Sequence, residues 1–272
     1  MRTLDLFLAA LLVLKLAVLW LEPKIAFYPT TGVQTTPAAV SLPFEDLRIP
    51  TGDGETLHGW WLEHPQPRAQ VVFWHGNGGN LSLWMDIVVE LRRRGFSVLA
   101  VDYRGYGLST GTPSEQGIYR DAEAAVREFV RRFRRPGIPV VYWGRSIGSP
   151  VAASSIAVER PDAVVLESPM PDARSVVRGN PVLLLFSYFS SYTFATSQFL
   201  AGYDGPLLVI HGDADSIVPF SAGQQVFKDA REAKGVFVTI PGADHNDLHV
   251  VRPDLYWQAI DRFVAALGTK RE

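Results

Sequence analysis

The chain has 272 residues, 47% hydrophobic and 20% charged, a length that buries a sizeable core in one large domain or two small ones. Seven tryptophans with this charge fraction exclude a mainly disordered chain, and a net charge of −2 excludes a global electrostatic case for nucleic acid. The absence of cysteine excludes a disulfide scaffold, a thiolate metal site and a cysteine nucleophile.

A mean hydropathy of +0.07 is high for a soluble enzyme, and the apolar excess begins at the N-terminus. Apart from Lys15, every residue from Leu6 to Leu21 is apolar. As a helix rising about 1.5 Å per residue, this stretch covers roughly 24 Å, slightly under a hydrocarbon core. Lys15 then snorkels or faces protein, at a cost. A signal peptide needs a small-residue cleavage site, which Leu21-Glu22-Pro23-Lys24 does not offer. A buried core helix is amphipathic, whereas this one is apolar on all sides. Residues 1–24 therefore read as a single uncleaved membrane anchor. Arg2 ahead of it, with Glu22 and Lys24 behind, biases the rest of the chain outside the cytoplasm, with the cytoplasmic face as the alternative.

Residues 25–43 carry threonines, prolines and a glycine and read as an irregular linker or surface strap. Strands are expected at Leu57–Glu63, Gln70–Trp74, Ser97–Asp102, Pro139–Trp143, Ala163–Leu166, Leu207–Ile210 and Val236–Ile240. Helices are expected at Leu81–Arg94, Ser114–Arg134, Ile147–Glu159, Pro219–Ala233 and Pro253–Leu267. That alternation predicts an α/β domain over residues 44–272, with a mostly parallel sheet covered on both faces. Residues 169–205 break the rhythm with the apolar, aromatic stretch Pro181–Phe194. They read either as an ordinary sheet-covering helix or as a small lid over a ligand pocket.

Gly-x-Ser-x-Gly occurs twice, around Ser109 and around Ser146. The elbow chemistry requires a strand, a sharp turn and then a helix, so that the serine oxygen stands clear. Ser146 meets that context: Pro139-Val-Val-Tyr-Trp runs into Gly144-Arg-Ser-Ile-Gly, and a small-residue helix follows with Pro150 in its first turn. After Ser109 comes Gly111-Thr-Pro and no helix, so Ser109 reads as a loop residue.

A nucleophilic serine needs a base, and the base needs an orienting carboxylate. Downstream of Ser146 stand His211, His245 and His249. His245 follows the last strand on a loop and is the preferred base; His211 reads as strand-end support and His249 as a surface residue or neighbour. For the acid, Asp215 lies beyond the turn, Asp213 suits the turn itself, and Glu167 is the least favoured. The oxyanion hole takes the N–H of Ile147, after the nucleophile, and that of Asn77 in His75-Gly-Asn-Gly-Gly-Asn. A dinucleotide loop would need glycine where Leu81 stands.

This set of motifs resembles the α/β-hydrolase superfamily, and more narrowly the membrane-anchored Bem46-like serine hydrolases. The resemblance rests on His75-Gly-Asn-Gly-Gly-Asn, Asp102-Tyr-Arg-Gly-Tyr-Gly-Leu-Ser-Thr-Gly, Gly144-Arg-Ser-Ile-Gly, Glu167-Ser-Pro, His211-Gly-Asp-Ala-Asp-Ser-Ile-Val-Pro and Gly242-Ala-Asp-His-Asn, in order over residues 75–246. It implies an α/β-hydrolase fold, a Ser146–Asp215–His245 triad and an N-terminal anchor, and places Ser109 in a recurring structural loop. The expected activity is cleavage of carboxylic esters with lipid-like acyl chains, as by an esterase, lipase or lysophospholipase, without metal or organic cofactor. A thioesterase or peptidase with the same triad and a non-catalytic lipid-binding protein are the alternatives. The scarcity of acids in 169–205 (Asp172 and Asp204) disfavours an amine-binding peptidase.

Overall fold

Every residue of Ala69–Trp74, Phe96–Val101 and Val140–Arg145 is buried, the mark of strands covered on both faces. The computed structural model describes residues 2–268; Met1 and residues 269–272, which complete the expected anchor and domain ranges, lie outside the described residues. In chain order its elements are α1 (Arg2–Ala26), β1 (Tyr28–Pro29), a 3-10 turn (Pro37–Val40), β2 (Glu45–Pro50), β3 (Thr56–Leu62), β4 (Ala69–Trp74), β5 (Gly78–Gly79), α2 (Met85–Arg93) and β6 (Phe96–Val101). Then come α3 (Glu115–Arg132), β7 (Val140–Arg145), α4 (Gly148–Ser155) and β8 (Ala163–Glu167). Residues 169–205 hold α5 (Ala173–Val177), α6 (Pro181–Ser187) and α7 (Thr196–Phe199). The chain closes with β9 (Pro206–Gly212), α8 (Phe220–Asp229), β10 (Lys234–Ile240), α9 (Leu248–Val251) and α10 (Pro253–Gly268).

Eight strands form one sheet in the order β10-β9-β8-β7-β4-β6-β3-β2. From β10 to β6 all pairings are parallel, while β3 and β2 add an antiparallel edge. Alternate residues feed two cores. Val72, Trp74, Tyr142 and Val209 pack with α3, α4 and α8 on one face. Val71, Phe73, Trp143 and Ile210 pack with α2 and α10 on the other. Burial of these apolar faces is the main favourable term holding the layers together.

Polar side chains start two of the helices. Ser114 caps α3 by accepting from Gly117 N–H, and Asn180 caps α6 by accepting from Val182 and Leu183 N–H. The strand β2 was not among the sequence expectations. Its Leu47 and Ile49 alternate inward, but Asp46 and Arg48 on the solvent side and Glu45 at its start mask them, as suits an edge strand. The helix α4 stops at Ser155 rather than Glu159, and the hydroxyls of Ser154 and Ser155 donate back to Val151 O.

The apolar N-terminal helix is present and runs to Ala26; Thr3–Ala26 is long and apolar enough to cross a membrane. Residues 27–43 lie as a strap on the domain. Phe27 is buried, β1 pairs in parallel with β5, and Thr31 bridges to Gly107. Asn80 Nδ2 donates to Thr30 O at 3.0 Å and Gly32 O at 2.8 Å, fastening the strap to the loop that follows β4.

Candidate active site

The end of β7 delivers Ser146 into a turn with φ of 54°, a left-handed conformation costing a non-glycine residue about 1–3 kcal/mol. The surroundings enforce it. Ser146 N–H donates to Glu167 O at 2.8 Å, and Ser149 N–H donates to Ser146 O at 2.9 Å. A Cβ on Gly144 would meet Gly148 O at 2.2 Å, and one on Gly148 would meet Trp74 O at 2.2 Å. Only two glycines let α4 approach the sheet this closely.

The sequence-expected residues come together here. His245 Nε2 lies 2.9 Å from Ser146 Oγ, and His245 Nδ1 lies 2.8 Å from Asp215 Oδ2. With Asp215 ionised, Nδ1 carries the proton it donates, and Nε2 is free to accept the serine proton. Asp215 Oδ1 accepts from Ile217 N–H at 3.0 Å and Val218 N–H at 2.8 Å. Burial acts to raise the Asp215 carboxyl, but hydrogen bonds from His211 and His245, the His245 charge and the Val218 N–H hold it well below the usual carboxylate range.

Four further groups support this set: His211 and Glu167, to which the sequence reading gives lesser parts, and Asp244 and Arg145, to which it gives none. His211, fully buried at the end of β9, brings Nε2 to 3.2 Å from Asp215 Oδ2 and 3.0 Å from Val218 O. Its spacing from Asp215 was visible, but the shared oxygen was not. Asp244 Oδ1 accepts from His245 N–H and Ser216 N–H, both at 2.7 Å, tying the histidine loop to the acid loop. Arg145, inside the elbow, donates from Nη2 to His245 O at 3.0 Å while Nη1 lies 3.6 Å from Glu167 Oε2. Glu167 is thus a buried brace beneath the elbow, also accepting from Trp143 Nε1 at 2.6 Å and Tyr256 OH at 2.5 Å.

The other candidates sort themselves by position. Asp213 accepts from Gly242 N–H at 2.6 Å and holds the turn. Ser109 donates to Asp102 O and accepts from His58 N–H, both at 2.8 Å, within the loop after β6. His249 lies on the cavity wall, where burial lowers its imidazole below the ordinary value. Asn77 and Ile147 both border the cavity beside Ser146. The Asn77 loop is held by its own side chain, Nδ2 donating to Ala26 O at 2.8 Å, and by Tyr106 OH donating to Asn77 O at 2.9 Å.

Ser146 and His245 sit at the floor of a cavity of about 1230 Å³. Its walls come from the loop after β4, the elbow, α1 and the 169–205 segment, including Val176, Leu183 and Phe186. That segment is pinned by buried Glu115, which accepts from Thr193 N–H and Phe194 N–H, both at 2.6 Å, and from Thr193 Oγ1 at 2.9 Å. The acids of residues 169–205 are occupied elsewhere: Asp172 caps α5 by accepting from Ser175 N–H at 2.8 Å, and Asp204 pairs with Arg160.

Comparisons with known proteins agree with this architecture. The sequence profile of the serine aminopeptidase family S33 matches residues 65–205. An uncharacterized protein of Mycobacterium tuberculosis is 32% identical over 253 residues, covering 91% of this chain and 89% of its own. The lysophosphatidylserine lipase ABHD12 of Macaca fascicularis is 30% identical over 225 residues, 71% of this chain and 56% of that one. The fold is that of the Pyrococcus furiosus esterase Pf2001, with a TM-score of 0.74 at 23% identity over 89% of this chain and 97% of that one. The chain therefore belongs to the S33 family of α/β hydrolases, and it is a hydrolase.

Proposed function

We propose that the chain is a serine carboxylester hydrolase acting on lipid-like esters. The observation that carries this reading is the 2.9 Å approach of Ser146 Oγ to His245 Nε2 at the floor of an apolar cavity. His245 Nε2 takes the Ser146 proton as Oγ attacks the ester carbonyl, and the N–H groups of Asn77 and Ile147 receive the oxyanion. Collapse breaks the bond to the alcohol oxygen, and His245 returns the proton to the leaving alcohol. Water then gives a proton to His245 Nε2 as its oxygen attacks the acyl-enzyme. Release of the acid returns the proton to Ser146. Asp215 accepts the Nδ1 proton throughout and stabilises the imidazolium.

The lipid character of the substrate is supported by the apolar cavity wall and by a relative that is a lysophosphatidylserine lipase. A peptidase would need an acid free to bind the peptide amine; of the two acids that border the cavity, the Glu22 carboxylate is already engaged by donors from Ser190 and Ser191, which leaves Asp86 as the one a peptide amine would have to reach. We further propose that α1 holds the enzyme in a membrane, with the catalytic domain outside the cytoplasm. Residues 3–13 extend past the cavity by about 16 Å, roughly half of a hydrocarbon core. Insertion of α1 therefore sets the cavity mouth, with exposed Ile25, Leu183 and Phe186, at the level of the lipid. Labelling of the full chain by a fluorophosphonate probe tests the nucleophile. The probe is expected on the peptide containing Ser146, and an unlabelled, folded protein would instead support a non-catalytic binding role.

A further inference from the structure

The helix α1 does more than extend from the domain. Its residues on the cavity include Leu14, Ala17, Val18, Leu21, Glu22 and Ile25, the i, i+3, i+4 spacing of a single helical face. Val18 on this face is 8% exposed, whereas Leu16 and Trp20 on the other side are 57% and 66% exposed. From Leu14 to Ile25 this face runs about 16 Å, comparable with an extended medium to long acyl chain.

Both flanks of the helix are fastened to the catalytic machinery. Glu22 is buried, and its carboxylate accepts from Ser190 Oγ at 2.7 Å, from Ser191 N–H at 2.9 Å and from Ser191 Oγ. A carboxylate tolerates such burial only when donors satisfy it, so this is a built contact between helix and lid. On the other side Ala26 O and Tyr28 N–H bond the side chain of Asn77, the residue whose N–H is assigned to the oxyanion. Phe27 meets Tyr192 and Phe194 edge-on, with centroids 5.8 Å and 6.0 Å apart.

We propose that α1 is a wall of the acyl-binding cavity, that Val18 and its neighbours Leu14 and Leu21 set the acyl length accepted, and that Glu22 latches the lid to this wall. The inference rests on the ester-hydrolase reading of the same site. The substrate's chain lies between α1 and the lid, so the segment that meets the membrane is also the specificity element. Loss of Glu22 leaves two lid serines and one backbone N–H without their acceptor, and the lid parts from the helix.

The test uses the full chain in detergent micelles and p-nitrophenyl esters from acetyl to lauroyl. Val18→Phe is expected to lower the ratio of lauroyl to acetyl kcat/KM at least about tenfold, the discrimination a few methylenes provide. Val18→Ala is expected to shift the preferred chain to longer acyl groups, and Glu22→Ala to lower the same ratio, with Glu22→Gln intermediate. Leu8→Phe, in the projecting part of the helix, is expected to leave the profile unchanged. An identical chain-length profile in folded Val18→Phe and Val18→Ala overturns the proposal, as does a loss uniform over all lengths. Should the wild type cleave no ester, the ester reading fails while the wall remains testable. Binding of the fluorescent fatty acid cis-parinaric acid is then expected to weaken in Val18→Phe, and unchanged binding overturns the wall.

Discussion

His211 Nε2 lies 3.2 Å from Asp215 Oδ2, the same oxygen that His245 Nδ1 approaches at 2.8 Å. One carboxylate oxygen thus serves two imidazoles, one of which faces Ser146 and one of which is sealed beneath it. The buried His211 fixes the aim of Asp215, which in turn fixes the aim of His245. Replacing His211 with Asn removes a bond to a charged group of the kind that contributes about 1.5–3 kcal/mol. We expect kcat to fall about tenfold or more with KM little changed, since His211 touches no substrate. Steady-state kinetics on a soluble ester checks this.

The depressed carboxyl of Asp215 has a consequence for acid stability. Its folded value lies below the unfolded value of about 3.9, so the unfolded chain binds more protons at acid pH. The stabilising contribution is fully present above the unfolded value and is lost as pH falls toward the folded one. The wild type is expected to lose more thermal stability than Asp215→Asn between pH 5 and pH 3. Parallel Tm curves for the two proteins over that range would argue against a depressed Asp215.

Asp244 joins two loops through one oxygen, accepting from Ser216 and His245 N–H. Asp244→Ala is expected to leave the fold intact but lower kcat, because the base and its acid then move independently. A kcat loss with unchanged KM is the expected split, read from initial rates over a substrate series.

Gly148 permits no side chain: a Cβ there would meet Trp74 O at 2.2 Å and His75 O at 2.9 Å, both backbone atoms. Gly148→Ala is expected to cost about 3 kcal/mol or more, since strand β4 or helix α4 must shift. Denaturant unfolding measures it. The buried Glu115 carboxylate offers a second check, and Glu115→Ala is expected to cost about 3 kcal/mol by orphaning Thr193 and Phe194 donors.

Much of this architecture is legible before any coordinates. Buried parallel strands read as unbroken apolar runs, which is why Val71–Trp74 and Val140–Trp143 declare themselves, and the strand–turn–helix around Ser146 separates it from Ser109. What the sequence hides is tertiary. The edge strand β2 carries too many charges to stand out, and its Leu47 and Ile49 gain meaning only from α3 above them. The helix α1 is apolar on every side, so nothing in its pattern marks the face that borders the cavity. Only Glu22, a lone carboxylate at its end, hints that this turn meets protein, and its partners lie 168 and 169 residues away. The second imidazole on Asp215 is likewise invisible in His211-Gly-Asp-Ala-Asp until the turn closes.

The central claim is that Ser146 is the nucleophile of an ester hydrolase, and one comparison tests it most directly. Initial rates of p-nitrophenyl butyrate hydrolysis are measured for the full chain and for Ser146→Ala at equal concentration, with melting curves to show that both are folded. A loss of kcat on the order of 10⁴-fold or more is expected in the variant. Turnover retained within tenfold of the wild type would contradict it.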